Sequence, residues 1–98
     1  MRNSQQHRTP LAQLRNALLT DIAAAYTAGG SQKILFDEPW HIGPPLDDSW
    51  PYVAGGIEQQ GELLVVLDTH HGGSYPLDKL HADDLLWVLT TVEEMNLP

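Results

Sequence analysis

Apolar residues recur at helical spacing at both ends of the chain. Leu11, Leu14, Leu18, Ile22 and Ala25 stand three or four positions apart and fall on one side of a 3.6-residue helix. Thr9-Pro10 marks its start. Threonine can cap free backbone N–H groups, and proline is tolerated at the first helical position, where its missing donor would be unpaired anyway. Gly29-Gly30 ends it, since glycine accepts the left-handed conformation a helix end needs. A closing helix carries the stripe Leu85, Val88, Leu89, Val92 and Met95. Asp78 or His81 lies near its start, and Asp83 and Asp84 sit in its first turn, where the macrodipole favours negative charge.

Between the helices the pattern changes to short apolar runs. Lys33-Ile34-Leu35-Phe36 predicts a short strand. Tyr52 to Glu58 predicts a second, bent or bulged at Gly55-Gly56. Glu62 to Asp68 is the clearest strand, paired with the second across the turn Gln59-Gln60-Gly61. After a turn over Thr69 to Gly73, Ser74-Tyr75-Pro76 predicts a short edge strand, where proline does least harm. The segment Asp37 to Trp50 contains Pro39, Gly43, Pro44 and Pro45. Proline lacks the donor a sheet ladder needs, so a long stiffened loop is expected there.

The order is α-β-β-β-β-α. It predicts an α+β fold with two helices on a small, largely antiparallel sheet of three to four strands. Residues 1–9 are polar and without periodicity, and read as a flexible arm. Residues 10–98 read as one domain, the size that 98 residues allow.

Composition narrows the function classes. There is no cysteine, which removes disulfides, thiolate metal sites and thiol catalysis, and fits a cytoplasmic location. The polar N-terminus has no apolar signal-peptide core. The longest apolar run, Leu63 to Leu67, is far too short to span a bilayer, so no membrane association is expected. Thirteen acidic and five basic side chains give a formal charge of -8. Such a surface repels phosphate backbones, so nucleic acid is not an expected partner.

No catalytic motif stands out. The glycine pairs form neither GxGxxG nor GxxxxGK[ST], and no serine lies in GxSxG. Asp68, His70 and His71 are the candidate metal ligands, by residue type. They match no HExxH spacing, and adjacent histidines on a strand or turn tend to point to different sides. No metal and no cofactor is therefore expected. The acidic pairs Asp47-Asp48, Asp83-Asp84 and Glu93-Glu94 read as helix-start or surface charge.

The central strand is apolar on both faces. Leu63, Val65 and Leu67 point one way, Leu64 and Val66 the other. A sheet with helices on one face and water on the other should alternate. The expectation is that the helices cover the Val65 face and that Leu64 and Val66 meet the proline loop or a second molecule. Trp87 falls opposite the closing helix's stripe, which suits an interface anchor. Trp40 and Trp50, flanking the loop, are further interface candidates.

The stretch Tyr75-Pro76-Leu77-Asp78-Lys79-Leu80-His81-Ala82-Asp83-Asp84-Leu85 resembles short bacterial accessory proteins of no known activity. In those, a small sheet ends in a leucine pair and the closing helix opens with acidic residues. They place Ser or Thr at the cap, where His81 stands here. The resemblance covers the last quarter of the chain and the hairpin before it, and implies no cofactor or catalytic residue.

The expected function is a non-enzymatic protein-interaction module, self-associating or serving as an accessory subunit. An inhibitor or immunity-type protein masking a basic partner is the alternative among binding proteins. A small metal-dependent enzyme using the His70/His71 region is the alternative from another class.

Overall fold

The computed structural model describes residues 10–30, 32–46 and 51–96. The expected arm over residues 1–9, and Trp50 with the end of the loop before it, lie outside these. Helix α1 runs over Pro10–Gly29. Strands β1 (Lys33–Ile42), β2 (Tyr52–Gln60), β3 (Leu63–Asp68) and β4 (Ser74–Pro76) follow, then a single 3-10 turn over Leu77–Lys79 and helix α2 over Ala82–Met95. The strands form one antiparallel sheet in chain order. This is the α+β fold, in the element order the pattern of the chain predicts.

The two helices run in the same direction, side by side. Near the start of α1, the Arg15 guanidinium donates to the carbonyl oxygens of Leu80 (3.0 Å) and Asp78 (2.6 Å), immediately before α2. At the other end, the Asn96 side-chain amide donates to the Ala25 carbonyl at 2.8 Å. Both contacts tie the ends of one helix to the other through backbone carbonyls.

Register explains the core. Ile34 pairs with Ile57, Ile57 with Val66 and Val66 with Tyr75, one row across all four strands. All four are buried in one cluster with Leu18, Ile22 and Tyr26 of α1 and Leu85, Val88, Leu89 and Val92 of α2. Leu64 packs against that cluster as well. The helices therefore cover the Leu64/Val66 face, which corrects the expected orientation of β3. A strand with five consecutive apolar residues has no parity signal, so the sequence pattern could not choose its inner face. Val66 is fully buried, worth about 1.5–3 kcal/mol, and is closed to any partner.

The opposite face carries Lys33, Glu58, Val65 and Pro76 in one row. Val65 is only 4% exposed there, outside the helix-side cluster. A polar strap accounts for it. The Gln60 amide nitrogen donates to Glu58 Oε1 (3.2 Å), and its oxygen accepts from Ser74 Oγ (3.3 Å). Gln60 is level with Leu63, and Ser74 is level with Leu67. A bond from β2 to β4 between those levels crosses β3 at Val65, the outward residue between them.

β1 continues to Ile42, well into the segment expected to be loop. Leu35 pairs with Gly56 and Trp40 with Ala54, so Phe36 to Pro39 stand against Gly55 alone. This wide bulge takes Pro39 out of the ladder, which removes the objection to proline in the strand. Gly56 permits the close approach of β1, and Gly55 that of the Thr69 side chain. A Cβ on Gly56 would lie 2.5 Å from the Ile34 carbonyl oxygen, and one on Gly55 would collide with the Thr69 side chain.

α1 is longer than the layer it covers. Leu18, Ile22 and Tyr26 are buried, but Leu11 and Leu14, on the same stripe, are 58% and 50% exposed. Met95, at the end of the α2 stripe, is also exposed. Periodicity marks the apolar side of a helix but not where its neighbours stop.

Candidate functional site

Two regions gather chemistry-bearing side chains. The first is the turn between β3 and β4. Asp68, the last residue of β3, is buried, and its Oδ1 accepts from the backbone N–H groups of His70 (2.9 Å) and His71 (2.7 Å). Its Oδ2 lies 3.1 Å from His71 Nδ1. Gly72 and Gly73 complete the turn with positive φ of 84° and 96°, which glycine adopts without strain. Burial alone would raise the Asp68 pKa. The hydrogen bonds from the backbone and ring of His71 and from the backbones of His70 and Val53 together outweigh it and hold the carboxyl below its usual value.

An ionised carboxylate only accepts, so His71 Nδ1 is the donor in this pair. The His71 side chain is 64% exposed. The His70 and His71 rings stand edge to face with centroids 4.7 Å apart. The adjacent histidines thus lie together, contrary to the expectation that they point to different sides. A tight turn does not alternate its side chains as a strand does. Asp68, His71 and Gly72 line a cavity of about 350 Å³ with Pro51 and Tyr52. The Tyr52 hydroxyl has a raised pKa, from burial first and the Asp68 charge second. Among the described residues, no three His, Cys, Asp or Glu side chains converge to hold a metal.

The second region lies between the β1 bulge and α2. The bulge projects Asp37 and Glu38, and α2 presents Trp87, Thr91, Glu94 and Met95. These six line a cavity of about 390 Å³. Its lining has three carboxylates and neither lysine nor arginine. Trp87 is held from behind, stacked on Trp40 with Phe36 edge-on to it. The Trp40 indole N–H donates to Asp84 Oδ1 at 2.8 Å, and Asp84 is itself buried in the first turn of α2. The two expected anchors Trp40 and Trp87 are therefore in contact with each other, half-buried against their own chain.

The interface candidates thus separate. Val66 and Leu64 belong to the core side, Trp40 and Trp87 form one stack, and Trp50 is outside the described residues. Asp37 and Glu38 went unnoticed in the sequence because only the bulge brings them opposite Glu94. Pro39 beside two acids in an apolar strand is the one local sign of it. No helix among the described residues is long and apolar enough to cross a membrane. Comparison with known proteins returns no matching family model, no matching curated protein and no matching solved structure.

Proposed function

We propose that this protein is a non-enzymatic interaction module that docks a basic partner at the cleft between the β1 bulge and α2. The observation that carries the reading is the lining of that cleft, with Asp37, Glu38 and Glu94 around the braced indole of Trp87. An aromatic face and unpaired carboxylates suit a guanidinium or ammonium group, the former by cation–π attraction and both by charge. The formal charge of -8 adds long-range attraction, which raises association rates toward a basic surface. An accessory subunit and a masking inhibitor both fit this arrangement.

Titration with N-acetyl-arginine amide, followed by the Trp87 indole resonance, tests it. Saturable shifts that weaken with salt and disappear on combining Asp37→Asn, Glu38→Gln and Glu94→Gln are expected. Shifts absent at millimolar ligand, or unchanged in the triple variant, sink the reading.

Self-association is supported by a different observation, the exposed stripe of Leu11 and Leu14 on the overhanging turns of α1. Sedimentation separates the two readings. A dimer that dissociates with Leu11→Lys and Leu14→Lys favours self-association. A monomer at all concentrations leaves the basic-partner reading alone.

A further inference from the structure

The cleft does not end at Met95. That side chain also lines a second cavity of about 210 Å³, with Lys33 and Leu35 of β1 and the helix ends at Gly29 and Asn96. We propose that the two cavities form one groove for an extended segment of a partner protein. An arginine or lysine of that segment sits in the cleft, and an apolar side chain two residues away sits between Leu35 and Met95. This rests on the cleft's taking a basic group and adds what stands beside that group.

Both walls run the length of the groove. β1 passes α2 in the opposite direction. Leu35 shares a cavity with Met95 and Asn96 at the end of α2, whereas Trp40 stacks on Trp87 and bonds to Asp84 nearer its start. Asp37 and Glu38 fall between, with Thr91 and Glu94 on the helix wall. Thr91 and Met95 are about 6 Å apart along α2, and Leu35 and Asp37 about 6.6 Å apart along β1. Side chains i and i+2 of an extended chain lie on one face at about that same spacing of 6.6 Å. Leu35 is 55% and Met95 40% exposed, so an apolar side chain between them covers surface that water now meets. Charge along the groove is uneven. The cleft end has Asp37, Glu38 and Glu94, and the apolar end has Lys33. Among the described residues Lys33 makes no ion pair. One basic side chain is therefore drawn to the cleft, and a second at the apolar end is repelled, which excludes a polybasic run. Recognition is by side chains, since the bulge interrupts the backbone row of β1.

The experiment is titration of the full chain with the blocked peptide acetyl-Ala-Leu-Ala-Arg-Ala-amide and with its reversed order, followed by the Trp87 indole resonance. One of the two should bind at least about fivefold tighter than N-acetyl-arginine amide, and than the same peptide with its leucine replaced by alanine or by arginine. Combining Leu35→Asn with Met95→Gln should cut that gain below about twofold and leave arginine amide binding as before. Both side chains are exposed, so the variant folds, and circular dichroism checks that it does. Equal affinity of the leucine and alanine peptides overturns the proposal and leaves the cleft reading standing. A gain that survives in the variant also overturns it, as does tighter binding of a helical alanine-rich peptide with leucine and arginine four residues apart. A dimer in sedimentation that the variant disperses makes a second copy the occupant, and overturns it too. Absence of saturable shifts with arginine amide itself removes the cleft reading and this one together.

Discussion

The indole of Trp40 lies nearly flat on the indole of Trp87, with centroids 5.0 Å apart and planes within 17° of parallel. One ring comes from β1 beyond the bulge and the other from α2. The stack therefore fastens the far end of a bulged strand to the closing helix, and the Trp40–Asp84 hydrogen bond fixes its orientation.

Trp40→Ala should cost about 2–4 kcal/mol, toward the lower end of large-to-small aromatic truncations because both rings are only half-buried. Trp40→Phe keeps most of the stack but leaves the buried Asp84 oxygen without its donor, a loss of about 1–3 kcal/mol. Denaturant melts followed by near-ultraviolet circular dichroism check both. Equal stability of wild type and Trp40→Ala would mean that the stack is incidental.

The two faces of β3 give a second test. Leu64→Lys places a charge against the helix-side cluster and should unfold the domain or cost several kcal/mol. Leu63→Lys, on the strap side where Leu63 is 54% exposed, should change stability by less than about 1 kcal/mol. Val65→Ala should still cost about 1–3 kcal/mol, since the residue is buried beneath the strap. The opposite ranking of the two lysine variants would reverse the face assignment.

Acid should loosen the β3–β4 turn. The folded-state pKa of Asp68 is depressed, so its stabilisation is fully present above the unfolded value of about 4. It is lost as pH falls from there through the lower folded value. Asp68→Asn should remove that part of the pH dependence and cost about 1–3 kcal/mol near pH 7, where the turn N–H groups lose a charged acceptor. Stability of wild type and variant measured from pH 2 to 7 decides it. Parallel curves would show that Asp68 titrates alike in the folded and unfolded chains.

Along α1 the cost of substitution should change abruptly. Ile22→Ala should cost about 2–5 kcal/mol, whereas Leu14→Ala should cost less than about 1 kcal/mol. Both residues lie on one stripe, but only Ile22 has a sheet beneath it. Comparable losses at the two positions would show that Leu14 is covered.

Much of this architecture is written locally. The stripes of α1 and α2, Gly29-Gly30, and the hairpin turn at Gly61 each carry a backbone or packing reason confined to a few residues. What was hidden depends on partners distant in sequence. The Trp40–Ile42 half of β1 becomes strand only because a bulge opposite Gly55 bypasses Pro39, with Gly56 letting β1 come close at Ile34. The inner face of β3 is decided by which side α1 and α2 lie on. At the candidate sites, Asp68, His70 and His71 were visible as a group, but the contacts among them depend on turn geometry. The cleft of Asp37, Glu38 and Glu94 joins residues more than fifty positions apart, and Pro39 beside two acids was its one local sign.

The bulge in β1 also limits how far the sheet can grow. β1 is the outermost strand on its side, with one row of backbone groups facing away from β2. Unpaired rows of that kind template the addition of further chains, and end in fibrils. Here the row is broken at its middle by four looped-out residues, one without an N–H and two carrying like charge. A strand from another molecule would find only short stretches in register on either side, with Asp37 and Glu38 repelling their own copies. The same irregularity that opens the cleft makes the β1 edge a poor template for another strand.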